Sequence, residues 1–335
     1  MSRVAGLGVF LPETTRRTAD TEKRLRAGNP HLRLATGLIT RMTGVRTVHV
    51  RPDGWDASDL AVAASRLALE ESPGPIDLLL FASASQDLVE PATSHIVASK
   101  LGLGCPVMDI KNACNSVVNA MQVADALIRS GQYRRVLIAS GEGPSVAVRW
   151  ELKDHGEFIR SFPGYTMSDG GAALVLQADS SAGDAGGAGI LATRFVASSQ
   201  HWKVGTLPGG GTMRPHDPEA AYFDMDGRAL QRAFLELGPQ PVLDLLDENG
   251  WTWGDFDLVA IHQVALPYLP PILERLGVPD DRTVLTIAEH GNLASVTLPL
   301  QLHLARERGM VRDGSRALLI GLAGGISLGL VAVRL

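Results

Sequence analysis

DLLLFASAS at Asp77–Ser85 and DLVAIHQVA at Asp257–Ala265 decide how this chain is read. Each opens on an acid, runs through an apolar strand and ends in small or polar residues, and the likeness continues downstream. YRRVLIASGEG from Tyr133, followed by DGGAALVLQA from Asp169, is matched by SRALLIGLAGG from Ser315 followed by ISLGLVAVRL from Ile326. The chain thus contains itself twice. Between the strands, SVVNAMQVADALIR (Ser116–Arg129) and SVTLPLQLHLAR (Ser295–Arg306) carry apolar residues at helical spacing, with Pro299 in the tolerated first turns of the second. Long apolar strands alternating with helices predict an α/β fold of mostly parallel sheets covered on both faces. The small-residue run ADSSAGDAGGAG at 178–189 predicts the boundary, giving halves 1–178 and 179–335.

A length of 335 residues suits about two domains at roughly 150 residues each. With 45% hydrophobic and 20% charged residues, the composition is globular and excludes disorder or coiled coil. The net charge of −5 argues against a general nucleic-acid binder, which needs a basic balance to neutralise phosphates. That charge is uneven: residues 1–51 hold ten Lys or Arg against three acids. Such a basic face suits a phosphorylated or acidic partner, a solvated arginine-rich surface being the alternative. Two cysteines, Cys105 and Cys114, make no disulfide framework and no zinc spacing, so no metal and a reducing cytoplasm are expected. The amino terminus is too short an apolar run for a signal peptide and reads as a first strand. Ala317–Val333 is uncharged, but Gly324 and Gly325 at its centre favour two strands and a turn over a membrane span. Leu207–Pro218 reads as a surface loop near a cleft or interface, and neither glycine-rich stretch carries a phosphate-binding pattern.

Three residues stand where chemistry is expected. Cys114 follows the strand-like Val107–Ile110 and precedes the helix from Ser116, so its sulfur is expected at a helix amino terminus, where the dipole favours thiolate and lowers the pKa. His262 ends the strand Leu258–Ile261, and Asn292 stands in EHGN just before the second helix. Each alone is as well explained by a buried thiol, a cap or a satisfied polar group. The repeat brings them together: Cys114 and Asn292 lie at matching strand-to-helix junctions, which a pseudo-twofold would turn to face one another, with His262 beside them. Cys105, followed by Pro106, reads as structural.

In order and spacing, TGVR at Thr43–Arg46, NAC at Asn112–Cys114, SDGGAALVL at Ser168–Leu176, MDGR at Met225–Arg228, HQ at His262, HGN at His290 and the terminal AGG before ISLG resemble the thiolase-fold condensing enzymes of the ketoacyl synthase III type. The resemblance spans essentially the whole chain. It implies a five-layered αβαβα fold of two similar halves, a homodimer, and a Cys-His-Asn triad mapping onto Cys114, His262 and Asn292. It also implies a 3-oxoacyl-(acyl-carrier-protein) synthase III-like reaction, a Claisen condensation through an acyl-Cys114 intermediate. The oxyanion would be held by the backbone N–H groups of Cys114 and Gly324, with His262 and Asn292 donating to the thioester oxygen of the second donor as its enolate forms. No tightly bound cofactor is implied. The substrates are acyl-CoA or acyl carrier protein phosphopantetheine thioesters, and the basic segment, through Arg41 and Arg46, is expected near the pocket mouth.

Glu90, in SQDLVEPATS, occupies a position that resembles the subset joining two whole acyl chains, the head-to-head enzymes of olefin biosynthesis and pyrone formation. There a glutamate reaching across the dimer is the implied base, replacing decarboxylation as the source of the enolate; a surface acid before a turn proline is the plain alternative. The chain departs from the family at Ala265, where HQVA replaces HQAN, at Pro267, and around Gly37–Ile39, which lacks the tryptophan that stacks on coenzyme A. Two other functions use the same residues or fold: an acyltransferase passing the acyl group to an alcohol or amine, and a non-catalytic acyl-binding subunit.

Overall fold

A computed structural model describes residues 2–179 and 187–335, so most of the expected boundary, 180–186, lies outside the described residues. The strands run β1 (Ser2–Phe10), β2 (Thr15–Arg17), β3 (Thr47–His49), β4 (Leu78–Ala82), β5 (Val107–Ile110), β6 (Arg135–Glu142), β7 (Gly170–Ala178), β8 (Gly189–Ala197), β9 (Gly205–Thr206), β10 (Asp224–Met225), β11 (Leu258–Ile261), β12 (Arg316–Ala323) and β13 (Ser327–Arg334). One sheet has the order β1-β7-β6-β4-β5 and the other β11-β12-β13-β8; β2 pairs with β3 and β9 with β10.

Alternation along the strands builds the layers. Leu78, Leu80, Val136 and Ile138 of the first sheet share a core with Ala317, Leu319, Val331 and Val333 of the second, and the helices Ser116–Arg129 and Thr297–Glu307 fill the space between. The residues alternating with these point outward. Leu79, Phe81 and Leu137 pack under Ala57–Glu71 and Thr93–Leu101, while Leu318, Ile320 and Leu330 pack under Gln240–Glu248 and Leu269–Leu276. Helices, sheet, helices, sheet, helices make the five layers. The helix Ser116–Arg129 is central because it is apolar at Val117, Val118, Met121, Ala124 and Ile128, all buried.

The acid opening each repeat has a structural task. Asp77 Oδ2 accepts from the Arg135 N–H at 2.9 Å while the Asp77 N–H donates to Arg135 O at 2.9 Å. Asp257 does the same with Arg316, at 3.0 and 2.8 Å. These matching clasps set the register of β4 on β6 and of β11 on β12, both parallel.

The expectation of mostly parallel sheets is corrected. β6–β7, β7–β1, β12–β13 and β13–β8 are all antiparallel. Periodicity reports burial on both faces and not strand direction, and β12 turns straight back into β13 through Gly324–Ile326, as the glycines there foretell. The repeat is also unequal: β4 is flanked by β5, whereas β11 is an edge strand.

Candidate active site

Cys114 sits on a turn two residues ahead of the helix Ser116–Arg129. Ala113 is left-handed, with φ 45°, a conformation that costs a residue with a Cβ roughly 1–2 kcal/mol and holds only where the surroundings enforce it. The enforcement is visible. Ser116 Oγ donates to Ala113 O at 2.7 Å and accepts from the Asn112 N–H at 2.9 Å. Asn115 Nδ2 donates to Ser327 Oγ at 2.9 Å and Ser327 O at 3.2 Å, which stitches the cysteine turn to the hairpin that carries Gly324. The packing is tight: a Cβ on Gly321 would lie 2.1 Å from Asn115 Oδ1.

His262 follows β11, and its N–H donates to Ile320 O at 2.9 Å, beside that same Gly321. The side chain is buried, and among the described residues neither ring nitrogen has a hydrogen-bond partner. Leaving a buried polar group unsatisfied costs about 1–3 kcal/mol, so an imidazole in this state points to a ligand that completes it. Burial lowers its pKa to about 4, so His262 is neutral near pH 7. Asn292 is buried as well; its N–H donates to Thr166 O and its carbonyl accepts from the Ser168 N–H, each at 2.9 Å. Its Oδ1 accepts from the Ala294 N–H at 3.0 Å, which orients the amide and leaves Nδ2 as the donor to present.

The equivalence of Cys114 with Asn292 is corrected. Ala294, φ 49°, repeats the left-handed turn of Ala113, and each lies three residues before its helix, at Thr297 and Ser116. The counterpart of Cys114 is therefore Ser295. Ser295 Oγ donates to Glu142 Oε1 and lies 2.9 Å from Ser140 Oγ. Glu142 closes β6, is buried, and also accepts from the Ala84 N–H at 2.9 Å and Ser85 Oγ at 3.0 Å. Burial raises its pKa against these hydrogen bonds.

The expected lowering of the Cys114 pKa is overturned too. Burial, followed by the like charge of Glu142, pushes the thiol up to about 12. Cys114 keeps some accessible surface, but protein surrounds its sulfur and a buried carboxylate opposes the helix terminus.

A further pair supports Asn292. His49 and His290 stack 10° from parallel, with His49 Nε2 3.0 Å from His290 Nδ1 and His49 Nδ1 2.7 Å from Pro12 O. Burial leads the lowering of both pKa values. In this way the amino-terminal segment holds the HGN turn. Sequence reasoning missed Glu142, Ser295 and this pair, although an acid closing an apolar strand and a repeated Ala before each helix were available as signals.

Glu90 is exposed on a loop with Leu88 and Val89, which are 52% and 68% exposed. Arg41 and Arg46 are exposed; Arg41 Nε donates to Gly37 O, and Arg46 forms an ion pair with Glu289. Gly44, between them, packs on Leu266, so the basic segment lies against the stretch that follows His262. A cleft of about 930 Å³ runs between Arg149–Ser161 and Trp202–Asp224 and includes Leu207, Met213 and Asp217 of the expected loop. None of Cys114, His262 or Asn292 lines it. Among the described residues no cluster of His, Cys, Asp and Glu could hold a metal, and no helix is long and apolar enough to cross a membrane.

Residues 108–199 match the family model of 3-oxoacyl-[acyl-carrier-protein] synthase III, and residues 246–335 match the model of its C-terminal part. The chain is similar to the β-ketoacyl-[acyl-carrier-protein] synthase III of Thiobacillus denitrificans, 32% identical with 99% of each chain covered. It is equally similar to that of Rhodospirillum rubrum, 32% identical over 100% of this chain and 99% of the other. Among solved structures, a glutamate-to-alanine variant of Xanthomonas campestris OleA superposes with a TM-score of 0.89 at 22% identity, covering 100% of this chain and 98% of the other. FabH from Pseudomonas aeruginosa superposes with 0.84 at 28% identity, covering 99% and 98%.

Proposed function

Since the chain belongs to the 3-oxoacyl-[acyl-carrier-protein] synthase III family, we propose that it is an acyl-condensing transferase that forms a β-ketoacyl thioester through an acyl-Cys114 intermediate. The observation that carries the site assignment is the buried, neutral His262 with both ring nitrogens unpartnered, one strand away from the Cys114 turn.

The Cys114 thiol, pushed up by burial, is protonated at rest, so its proton must leave as sulfur bonds to the acyl carbon. The departing thiolate of the donor is the final acceptor, with neutral His262, which makes no hydrogen bond to the thiol at rest, as the relay. The thiol proton passes to the imidazole as sulfur bonds to the acyl carbon. Backbone N–H groups of Cys114 and Gly324 face the developing oxyanion, and the departing thiolate takes the proton back. After the second thioester enters and a base removes its α-proton, His262 and Asn292 Nδ2 donate to its carbonyl oxygen as the enolate develops. The enolate carbon displaces Cys114 sulfur from the acyl group, and the freed thiolate takes that proton from the base. His262 therefore serves both half-reactions, and His262→Ala is expected to slow self-acylation as well as condensation.

For the source of the enolate we propose α-proton removal without decarboxylation, with Glu90 of one copy as base in the pocket of the other; loss of carbon dioxide from a malonyl-type donor is the alternative source. The exposed Leu88 and Val89 around Glu90, and the exposed Met108 on edge strand β5, are surface that a homodimer would cover. The halves 1–178 and 179–335 are supported by each main sheet drawing its strands from one side of that division. The basic segment with Arg41 and Arg46 would steer coenzyme A phosphates or an acidic carrier protein in the cytoplasm. Intact-mass measurement with a panel of acyl thioesters tests the reading. A covalent adduct abolished by Cys114→Ala, with β-ketoacyl thioester released from paired donors, is the expected result; an adduct that survives the substitution, or acyl esters and amides as the products, defeats it.

A further inference from the structure

The unequal repeat leaves a polar problem beside His262. In the first half, β5 pairs along the outer side of β4, with Leu79 opposite Val107 and Phe81 opposite Asp109. Among the described strands, β11 has no such neighbour, so its outward N–H and C=O groups need other partners. Ile261 is the outward residue immediately before His262.

Gln301 answers for it. From the helix Thr297–Glu307, its Oε1 accepts from the Ile261 N–H at 3.1 Å and its Nε2 donates to Ile261 O at 2.8 Å. A side-chain amide thus makes the two bonds a strand would make. Gln301 is fully buried amid the otherwise apolar run LPLQL. One residue past His262, Gln263 acts in the reverse sense: its Oε1 accepts from the Thr286 N–H at 2.9 Å and the Ile287 N–H at 3.1 Å, and its Nε2 donates to Val284 O at 2.7 Å. His262 is held between these two clamps, with its own N–H on Ile320 O. The helix that carries Gln301 is also the one that follows the Asn292 turn.

We propose that Gln301 is a positioning residue, whose amide ties the helix behind Asn292 to the strand end that carries His262 and so keeps the two donors in register. The rate part of this rests on the condensing reading above. An amide does this with one acceptor and one donor, and a protonated carboxyl offers the same pair in nearly the same shape. An ionised carboxylate offers only acceptors and sets its charge against Ile261 O.

Gln301→Leu and Gln301→Glu separate positioning from bulk packing. For Gln301→Leu the condensation kcat falls about 10–10²-fold with KM little changed, the scale of a misplacement near 1 Å. For Gln301→Glu the kcat ratio to the parent rises as pH falls, because only the protonated side chain restores both bonds. NMR of the histidine rings, with His262 assigned through His262→Asn, gives a readout independent of turnover: in Gln301→Leu the His262 signals move while those of exposed histidines stay. Unchanged His262 signals, or a Gln301→Glu profile parallel to the parent across pH, overturn the proposal even if Gln301→Leu fails to fold. A parent that does not condense acyl thioesters, with His262 signals still displaced by Gln301→Leu, overturns the condensing reading and leaves the positioning role standing.

Discussion

Replacing Gly321 with alanine pushes on the Cys114 turn from behind. The new Cβ would stand 2.1 Å from Asn115 Oδ1, 3.2 Å from its Cγ and 3.3 Å from Val118 Cγ2, and real Cβ contacts essentially never fall under 3.0 Å. The Asn115 amide must therefore retreat by about 0.9 Å. It cannot swing freely, because Nδ2 is bonded to Ser327. The strain passes to the backbone between Ala113 and Ser116, and hence to Cys114. Overpacking of this kind costs about 1–3 kcal/mol of stability, and a displacement near 1 Å at a reacting atom costs up to about 10²-fold in rate. Thermal unfolding reads the first and single-turnover self-acylation, followed by intact mass, reads the second. Acylation by Gly321→Ala is expected to slow about 10–10²-fold. Asn115→Ala removes the atom that is struck, so the double variant should lose less from the alanine than the parent does. A Gly321→Ala protein that acylates at the parent rate, or effects of the two changes that simply add, would refute the reasoning.

If Glu142 helps to hold the Cys114 thiol near 12, Glu142→Gln should lower that pKa and speed alkylation by iodoacetamide at pH 8, where the parent thiolate fraction is about 10⁻⁴; an unchanged pH profile would assign the whole rise to burial. The lowered pKa of His262 makes the unfolded chain bind its proton first, so stability attributable to this group falls as pH drops from about 6.5 to about 4, by roughly 3 kcal/mol, and levels off below. His262→Asn should flatten denaturant-derived stability across that window relative to the parent, and parallel curves would speak against the burial argument; His49 and His290, shifted in the same direction, cancel in the difference. For Glu90→Gln, self-acylation should survive while joining of two acyl thioesters falls about 10²–10⁴-fold, the usual contribution of a positioned base, and a malonyl-type donor should bypass the defect. Parent-rate joining by Glu90→Gln would return the chain to decarboxylative condensation.

Much of this fold was legible in the sequence because the information is local. Helix Ser116–Arg129, β1 and the glycine hairpin between β12 and β13 follow from period and turn residues, and the acids at Asp77 and Asp257 marked a repeat whose clasps the structure then displays. The positions of Cys114, His262 and Asn292 at strand and helix ends were legible for the same reason. What each group meets there was not. Strand direction depends on how connections cross the sheets, which burial patterns do not encode. The thiol pKa depends first on burial and then on Glu142, brought in from the end of another strand, so the helix-dipole argument met a desolvation and a neighbouring carboxylate that only packing supplies. Ser295, three residues from Asn292, became the true counterpart of Cys114 once two left-handed alanines could be compared. Gln301 looked like a stray polar residue on an apolar helix until β11, which has no outer neighbour among the described strands, gave its amide two backbone partners. Sequence determines where polar atoms sit along the chain; tertiary structure decides which of them are paired, buried or left open, and reactivity follows from that.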